Sequence, residues 1–268
     1  MDKALLGQLG ALAIDVGAFL VHRRGSGESL NIRSKDDKTP VTDGDVEAER
    51  RITDALATLT PQIAVVGEEA VSDGGLSAVP SRFWLVDAVD GTRSYMKGGD
   101  EFTVNIGLIE DGIPTAGIVC APSLDGGRCF MGAQGIGAFV CSTAQGTDAM
   151  QAIRVSSEEG AILVSRLHET DSTLKAFLAK HPCRKVGSSV KFCLVACGEA
   201  SSYPRFSPTR EWDTAAGDAV LRAAGGRTVG ADGKPLAYGK AGLHNPSFLA
   251  CHGEGALYHD LIALLVRS

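Results

Sequence analysis

The chain has 268 residues, and its 26 Lys and Arg residues against 32 Asp and Glu residues give a formal net charge of −6. A composition of 44% hydrophobic and 22% charged residues is typical of a folded globular protein and excludes a disordered or collagen-like chain. The acidic balance argues against a general binder of duplex nucleic acid, which requires a basic surface. The length corresponds to two lobes or to one large domain.

The N-terminal segment is the most apolar part of the chain. Between Leu5 and Val21 the apolar run is interrupted by Gln8 and Asp15, so we expect neither a transmembrane segment nor a signal peptide. The seven cysteines form no C-x-x-C pair, which predicts buried, reduced thiols. These features predict a cytoplasmic protein, with peripheral association with the inner membrane as an alternative. They leave open whether it is a monomer or a homodimer.

The first half of the chain passes from helices to short strands. Helical spacing of apolar residues predicts a helix over residues 3–23, and an acidic start at Asp43 predicts a second helix. The alternation of apolar and polar residues after Phe102 predicts a strand with one buried face. Short apolar runs predict strands at Ile63–Val66, Phe83–Val86, Phe102–Ile109, Thr115–Cys120 and Arg128–Met131.

The second half changes to an alternation of strands and helices. Strands are predicted at Ala161–Ser165, Lys185–Val186 and Phe248–His252, and helices at Ser172–Lys180, Ser189–Cys197, Asp213–Ala224 and His259–Val266. We therefore predict an α+β half over residues 1–140 and an α/β half over residues 141–268. The halves should pack closely, because no linker composition separates them.

Acidic residues directly follow the first two predicted strands. Glu68 and Glu69 come after the first, Asp87 and Asp90 come after the second, and Asp213 stands at the start of a later helix. Such a density of carboxylates is stable only when a cation neutralises it, and hard oxygen ligands select Mg²⁺ or Mn²⁺. The alternative is structural, since Asp-Gly turns are frequent in this chain and an aspartate before a helix is a common N-cap. The pattern as a whole favours a metal site.

Three segments resemble the signatures of the inositol monophosphatase superfamily: Gly67–Glu69, Trp84–Thr92 and Trp212–Gly217. The resemblance extends from the first helix to Pro246. It implies a Mg²⁺-dependent, lithium-sensitive phosphomonoesterase with a layered αβαβα sandwich that combines α+β and α/β elements. This chain has Ala88 where the family usually has Pro, a position that supplies no ligand.

The resemblance also implies a set of metal ligands. Glu68, Asp87 and the main-chain carbonyl of Val89 would bind one Mg²⁺ ion, and Asp87, Asp90 and Asp213 would bind a second. A third ion, or Mn²⁺ in place of Mg²⁺, is compatible with the same ligands. The metals would activate a water molecule as the nucleophile and stabilise both oxygens of an in-line displacement.

Two further residues are implied to act on that water molecule. Thr92 and Asp45 resemble the hydrogen-bonded pair that orients and deprotonates it. Asp43, two residues before Asp45, is the alternative carboxylate, and the spacing of the family motif favours Asp45. Gly91 and Thr92 would present main-chain N–H groups to the phosphate at a helix start.

Segments of the second half are similar to 3′(2′),5′-bisphosphate nucleotidases of the bacterial CysQ type, among them Gly187–Val195, Tyr203–Phe206 and Leu243–Pro246. This similarity implies hydrolysis of the 3′-phosphate of 3′-phosphoadenosine 5′-phosphate to AMP and phosphate, a reaction linked to sulfur assimilation. The preference between this substrate and its 5′-phosphosulfate relative stays open.

A bisphosphate nucleotide carries a second phosphate that the metals cannot reach, so the protein needs cations for it. Lys191 and Arg205 are candidates, and Ser188 can add a hydroxyl or an N–H group. His168 would contact the base or the ribose. The alternative is that these side chains are solvated surface groups. The predicted substrate contacts also include Glu68, Val89, Asp90, Gly91, Thr92 and Asp213.

Two other functions fit the same motifs. A broad inositol or sugar monophosphatase would use the same metal site, although the carboxylate that inositol monophosphatases usually have near Arg205 and Phe206 is missing here. A non-catalytic nucleotide-binding protein would keep the fold without turnover, but every implied catalytic position is intact.

Overall fold

The computed structural model describes residues 1–27, 29–35, 39–74, 79–158, 160–165, 172–255 and 257–267. Its α-helices are α1 (Lys3–Gly25), α2 (Asp43–Leu59), α3 (Glu68–Gly74), α4 (Thr92–Met96), α5 (Ser172–Leu178), α6 (Val190–Ala196), α7 (Ala215–Ala223) and α8 (Tyr258–Arg267). Its strands are β1 (Arg33–Ser34), β2 (Pro40–Val41), β3 (Ala64–Gly67), β4 (Arg82–Asp90), β5 (Thr103–Glu110), β6 (Ile113–Ala121), β7 (Arg128–Ala133), β8 (Gly137–Ser142), β9 (Gln151–Ile153), β10 (Ile162–Val164), β11 (Cys183–Lys185), β12 (Ser202–Arg205), β13 (Thr209–Arg210), β14 (Arg227–Gly230), β15 (His244–Asn245) and β16 (Phe248–Cys251).

Two sheets organise the chain. Strands β3 to β9 form a seven-stranded sheet in chain order, in which β3 and β4 are parallel and the later neighbours are antiparallel. The second sheet has five strands in the order β11-β10-β12-β16-β14. In this sheet β10 runs parallel to both of its neighbours, whereas β16 runs antiparallel to both of its own. The pairs β1–β2 and β13–β15 form short ribbons.

The helices form three layers around these two sheets. Helices α1 and α2 cover one face of the seven-stranded sheet and bury Leu9, Val16 and Ile52 there. Helices α6 and α7 lie between the sheets. Helices α5 and α8 cover the outer face of the five-stranded sheet, through Leu178 and Leu261 among others. The layers therefore follow the order α, β, α, β, α, which confirms the predicted sandwich.

Three glycines form a column across the seven-stranded sheet beneath α7. Gly107, Gly117 and Gly132 lie opposite one another in β5, β6 and β7. A Cβ atom at Gly117 would lie 2.1 Å from the carbonyl oxygen of Ala216, and one at Gly132 would lie 2.8 Å from the Cα of Val220. Because only glycine lacks this atom, only glycine allows the helix backbone to lie so close to the sheet. The contact fixes the N-terminal end of α7 relative to the strands.

Each predicted helix and strand has a counterpart, with differences at the ends. The prediction that the strand after Phe102 has one exposed face was wrong, because α1 covers one side of β5 and α7 covers the other. The helix predicted from Asp213 begins at Ala215, since Asp213 lies in the turn before it. Strands β1, β2, β8, β9, β13, β14 and β15, and helix α3, were not predicted.

The predicted boundary between the two halves, at residues 140 and 141, falls inside β8. Strand β9, which lies beyond it, adds to the seven-stranded sheet. The division into residues 1–140 and 141–268 stays a prediction.

Helix α1 is more apolar than the sequence analysis allowed for. Its most apolar 18-residue window has a mean hydropathy of 1.9, so by length and composition alone it could cross a membrane. Gln8 and Asp15 therefore do not exclude a span. In this structure the helix buries one stripe against the seven-stranded sheet and α2, which is the pattern of a core helix. That stripe consists of Leu6, Leu9, Ala13, Val16 and Leu20.

All seven cysteines are free thiols. Five are buried, as predicted, whereas Cys197 is half-buried and Cys183 is exposed. The stability of the fold therefore comes from packing and hydrogen bonds rather than from cross-links, as the length of the chain allows.

Candidate active site

Strand β4 ends in an irregularity that turns two carboxylates toward one point. Residues three apart on a regular strand point to opposite faces of the sheet. Between Asp87 and Asp90, however, the pairing of β4 with β5 shifts its register. The Asp87 carboxylate accepts a hydrogen bond from the N–H of Val89 at 2.9 Å within this bulge. The bulge therefore explains how two aspartates at this spacing converge.

Asp213 reaches the same point through the turn that leads into α7. Its carboxylate accepts a hydrogen bond from the N–H of Arg210 at 3.0 Å. The buried Asn245 amide donates to the Thr214 hydroxyl at 2.7 Å and to the Arg210 carbonyl at 3.2 Å. Asn245 thereby stabilises the turn through residues on both sides of Asp213. This role was not predicted from the sequence.

Asp87, Asp90 and Asp213 form a carboxylate cluster, in which one oxygen of each residue lies within 4.8 Å of the other two. Burial raises the pKa of all three carboxyl groups, and the negative charges within the cluster raise those of Asp87 and Asp213 further. Three ionised carboxylates this close need a compensating cation, and oxygen donors suit a hard divalent ion. The donor set therefore fits a bound divalent metal.

Glu68 begins α3 directly after β3 and lies beside the carboxylate cluster. Its Oε1 is 2.6 Å from the ammonium nitrogen of Lys35, which is also 2.8 Å from Oε1 of Glu69. Glu68 is not part of the carboxylate cluster itself, although its charge contributes to the raised pKa of Asp87. Its role as a metal ligand stays a prediction, as does that of the Val89 carbonyl.

Glu49 on α2 holds the start of α3 in place. Its carboxylate accepts the N–H groups of Glu69 at 2.8 Å and Ala70 at 2.9 Å, and so caps the helix. A Cβ atom at Gly67 would lie 2.3 Å from the Glu49 carboxyl group, so any larger residue there would displace this carboxylate. Glu49 was not predicted from the sequence. The available signal was its spacing of four residues from Asp45, which places both acids on one face of α2.

Asp45 and Thr92 are in contact, as the predicted pair requires. The Thr92 hydroxyl oxygen lies 3.2 Å from Oδ1 of Asp45 and 3.1 Å from the carbonyl oxygen of Val89. The other carboxylate oxygen of Asp45 accepts the N–H of Thr42 at 3.0 Å and also its hydroxyl, which completes a capping box at the start of α2. Burial raises the pKa of Asp45.

The alternative carboxylate, Asp43, lies outside this arrangement. It forms an ion pair with Arg33 at 3.2 Å and accepts a hydrogen bond from the Asn31 amide at 2.7 Å. The geometry therefore favours Asp45 as the partner of Thr92 and gives Asp43 a structural role.

Gly91 links the carboxylate cluster to α4. Its φ of 93° lies in the left-handed region, and a Cβ atom there would lie 2.8 Å from the carbonyl oxygen of Glu101. Only glycine satisfies both the conformation and the space. The turn places Thr92 at the first position of α4. The contact of these N–H groups with a phosphate stays a prediction.

The two predicted cations are not solvated surface groups. Lys191 is 2% exposed, and its ammonium donates to the carbonyls of Val186 and Ser188 at 3.2 and 2.5 Å. Burial lowers the pKa of Lys191 to about 8. Arg205 is half-buried and donates to the Ser165 hydroxyl at 2.7 Å.

Both cations act electrostatically on the carboxylate cluster, since the charges of Lys191 and Arg205 oppose the rise in the pKa of Asp90. Ser188 has a left-handed φ of 48°, and its buried hydroxyl finds no hydrogen-bond partner among the described residues. His168, the predicted contact to the base or ribose, lies outside the described residues.

Comparisons with known proteins extend these observations to the whole chain. A model of the inositol monophosphatase family matches residues 5–267. The chain is 38% identical over 248 residues to the 3′(2′),5′-bisphosphate nucleotidase CysQ of Escherichia coli O157:H7, an alignment that covers 91% of this chain and 98% of that protein. It is 36% identical over 241 residues to the CysQ nucleotidase of Buchnera aphidicola, with 88% of each chain covered.

Solved structures share the architecture. CysQ of Bacteroides thetaiotaomicron, a bacterial member of the inositol monophosphatase family, superposes with a TM-score of 0.73 at 31% identity, covering 94% of this chain and 98% of that one. An IMPase of Thermotoga maritima has a TM-score of 0.75 at 24% identity over 96% of this chain and 94% of its own, which supports the fold alone. Since the family match runs almost from end to end and relatives above 30% identity align along nearly their whole length, this chain belongs to the inositol monophosphatase family.

Proposed function

We propose that this protein is a metal-dependent 3′(2′),5′-bisphosphate nucleotidase of the CysQ type, which converts 3′-phosphoadenosine 5′-phosphate to AMP and phosphate. The observation that carries the substrate class is the placement of Lys191 and Arg205 beside the carboxylate cluster. A monophosphate ester needs the metal side of the site alone, whereas a second phosphate needs cations next to it. The similarity to CysQ nucleotidases along nearly the whole chain supports the same assignment.

We infer that the carboxylate cluster, together with Glu68 and the Val89 carbonyl, holds two or three Mg²⁺ ions, for which Mn²⁺ could substitute. Bound ions of this kind supply Lewis-acid charge to a phosphoryl group and lower the pKa of water. The raised pKa values of Asp87 and Asp213 support this, because burial and the neighbouring carboxylates disfavour their ionised forms and the cations among the described residues do not offset this.

Thr92 and Asp45 would handle the proton of the attacking water. The Thr92 hydroxyl can donate its hydrogen to the ionised Asp45 carboxylate. The lone pairs of the Thr92 oxygen then stay free to accept a proton from the water. The two hydrogen bonds from Thr42 fix the orientation of the Asp45 carboxylate. The N–H groups of Gly91 and Thr92 would orient the phosphate at the start of α4.

A phosphate-release screen with Mg²⁺ tests the proposal. We expect the highest kcat/KM for 3′-phosphoadenosine 5′-phosphate, far lower values for AMP, inositol 1-phosphate and fructose 1,6-bisphosphate, and no turnover in excess EDTA. An equal or higher value for inositol 1-phosphate would favour a broad sugar monophosphatase. Release from none of these esters would favour a non-catalytic nucleotide-binding protein.

Specificity for the second phosphate should depend on the two cations. Lys191→Ala and Arg205→Ala are each expected to lower kcat/KM for the bisphosphate by roughly 10- to 150-fold, because a charge-assisted contact contributes ~1.5–3 kcal/mol. On 3′-AMP, which lacks the second phosphate, the same changes should have little effect. Steady-state kinetics on both substrates gives the comparison.

Arg227→Ala is the matched control. Arg227 lies on the edge strand β14, away from these contacts, and its side chain forms an ion pair with Glu254. It should behave like the wild type on both substrates. Equal losses on the two substrates for Lys191→Ala and Arg205→Ala would instead assign them a role in folding. Thermal unfolding of each variant measures that contribution separately.

We further propose a cytoplasmic location, with peripheral association with the inner membrane as the alternative. The partner would be a small-molecule nucleotide rather than duplex nucleic acid, and the protein would act as a monomer or a homodimer. Kinetics on the 5′-phosphosulfate relative of the substrate would establish which of the two nucleotides it prefers.

A further inference from the structure

The turn Val186–Ser189 connects β11 to α6 and carries the residues proposed to contact the second phosphate. Two of its N–H groups are held by carboxylates from the other side of the site. Gly187 donates to Oε2 of Glu101 at 2.9 Å, and Ser189 donates to the Asp90 carboxylate. The position of this turn is therefore set by residues at and after the end of β4, which lie 86 and 99 positions earlier in the chain than their partners.

The turn holds a strained residue between these two anchors. Ser188 has a φ of 48°, a left-handed conformation that is unfavourable for any residue with a side chain. Such a conformation persists only when the surrounding structure over-determines it. The hydrogen bonds on either side of Ser188 supply that constraint, and its carbonyl in turn accepts the Lys191 ammonium at 2.5 Å. Loss of one anchor would therefore change the positions of both Ser188 and Lys191.

Glu101 is closely packed between two glycines of the site. A Cβ atom at Gly187 would lie 2.9 Å from its Oε2, and a Cβ atom at Gly91 would lie 2.8 Å from its carbonyl oxygen. Its negative charge also favours the protonated form of Lys191. Glu101 thus connects the turn proposed to bind the reacting phosphate with the turn proposed to bind the second one.

We propose that Glu101 is a positioning residue that determines specificity for bisphosphate substrates. By accepting the Gly187 N–H, it holds the turn in the conformation that presents Ser188 and Lys191 to the second phosphate. This inference rests on the proposed function, because it assigns the second phosphate to this side of the site. Glu101 is not part of the carboxylate cluster. Its effect should therefore fall on KM for bisphosphates rather than on kcat.

Three variants test the proposal. Glu101→Ala removes the acceptor and should raise KM for 3′-phosphoadenosine 5′-phosphate by about 10- to 100-fold, the range for a hydrogen bond to a charged group. Its kcat, and both kinetic constants on 3′-AMP, should stay close to the wild type. Glu101→Gln keeps a side-chain carbonyl that can accept the Gly187 N–H, so it should recover most of the loss, although a neutral acceptor is weaker.

Asp100→Ala is the matched control, because it removes the same charge from the neighbouring residue, whose side chain is 66% exposed. It should leave KM unchanged on both substrates. If Glu101→Ala changes KM equally on the bisphosphate and on 3′-AMP, or if Glu101→Gln fails to recover it, Glu101 has no positioning role. If the wild type itself does not prefer the bisphosphate, the proposed function fails instead, so the two failures are distinguishable.

Discussion

Asp87→Asn is expected to abolish turnover in a protein that stays folded. Asp87 is a buried member of the carboxylate cluster near the end of β4, and it is the residue proposed to contact both metal ions. Replacing one anionic oxygen by an amide leaves two divalent ions without the charge that offsets their repulsion. We expect kcat to fall by at least ~10⁴-fold, which corresponds to about 5.5 kcal/mol of activation free energy.

Phosphate release at saturating Mg²⁺ measures this effect, and isothermal titration with Mg²⁺ measures the loss of metal binding. Asp111→Asn is a suitable control, because it makes the same chemical change in an Asp-Gly turn with a φ of 50°, which asparagine tolerates. Appreciable turnover in Asp87→Asn would contradict the two-metal mechanism.

The same variant should be more stable than the wild type when no metal is present. Burial raises the pKa of Asp87, Asp90 and Asp213, and it raises that of Glu69 to about 7. Carboxyl groups whose pKa is higher in the folded state than in the unfolded state bind more protons when folded, so the free energy of unfolding falls as pH rises between the two values. The metal-free protein should therefore lose stability from about pH 4 to neutrality.

Calorimetry in EDTA across this pH range tests whether the stability of the metal-free protein falls as pH rises. We expect Tm of the wild type to fall as pH rises, Asp87→Asn to show a shallower decline, and added Mg²⁺ to restore Tm at neutral pH in the wild type. A Tm that rises with pH in the absence of metal would contradict the electrostatic account of the carboxylate cluster.

Thr92→Ala and Asp45→Asn should each lower kcat by ~10²–10⁴-fold, the usual contribution of a positioned proton acceptor. The hydroxyl and the carboxylate lie 3.2 Å apart, so either change removes the path by which a proton leaves the water. KM and metal affinity should change far less. Because the base must be ionised and burial raises the pKa of Asp45, kcat of the wild type should fall on the acid side at a pH above the usual carboxylate range.

Two conservative changes serve as controls. Thr92→Ser keeps the hydroxyl and should retain most of the activity, and Asp43→Asn alters the neighbouring acid that pairs with Arg33 and should have little effect on kcat. A rise in KM with kcat unchanged in Asp45→Asn would assign this pair a structural role. The pH profile of kcat distinguishes the two outcomes.

The layered fold could be predicted from the sequence, but the burial of its central strand could not. Thr103 and Asn105 alternate with apolar residues in β5 and so indicated an exposed face. Both are fully buried, because α1 and α7 cover the two faces of this strand, and the Ser189 hydroxyl bonds to both of their side chains. Their polar groups are satisfied by a residue more than eighty positions away. Local pattern carries no information about such a partner.

The site, like the fold, could be predicted from the sequence only in part. The cluster aspartates follow a predicted strand or stand at the start of a predicted helix, where acidic motifs can be recognised, and Asp45 and Thr92 came from the spacing of the family motif. Glu49 and Asn245, by contrast, act on main-chain groups and turns that only the fold brings near them. The bulge that makes Asp87 and Asp90 converge is likewise a property of strand pairing rather than of either residue alone.

The contact of α7 with Gly107, Gly117 and Gly132 sets the distance between this helix and the seven-stranded sheet. Because only small side chains of α7 lie at this contact, we expect the distance of Asp213 from Asp87 and Asp90 to depend little on how the apolar cores on either side are filled. We therefore expect substitutions within those cores to lower the folded fraction more than they change the chemistry of the molecules that remain folded. A single methyl group at Gly117 should have the opposite effect, since it would displace the helix and move Asp213 away from Asp87 and Asp90. Large changes in core sequence and a constant geometry of the carboxylate cluster should thus be compatible in this fold.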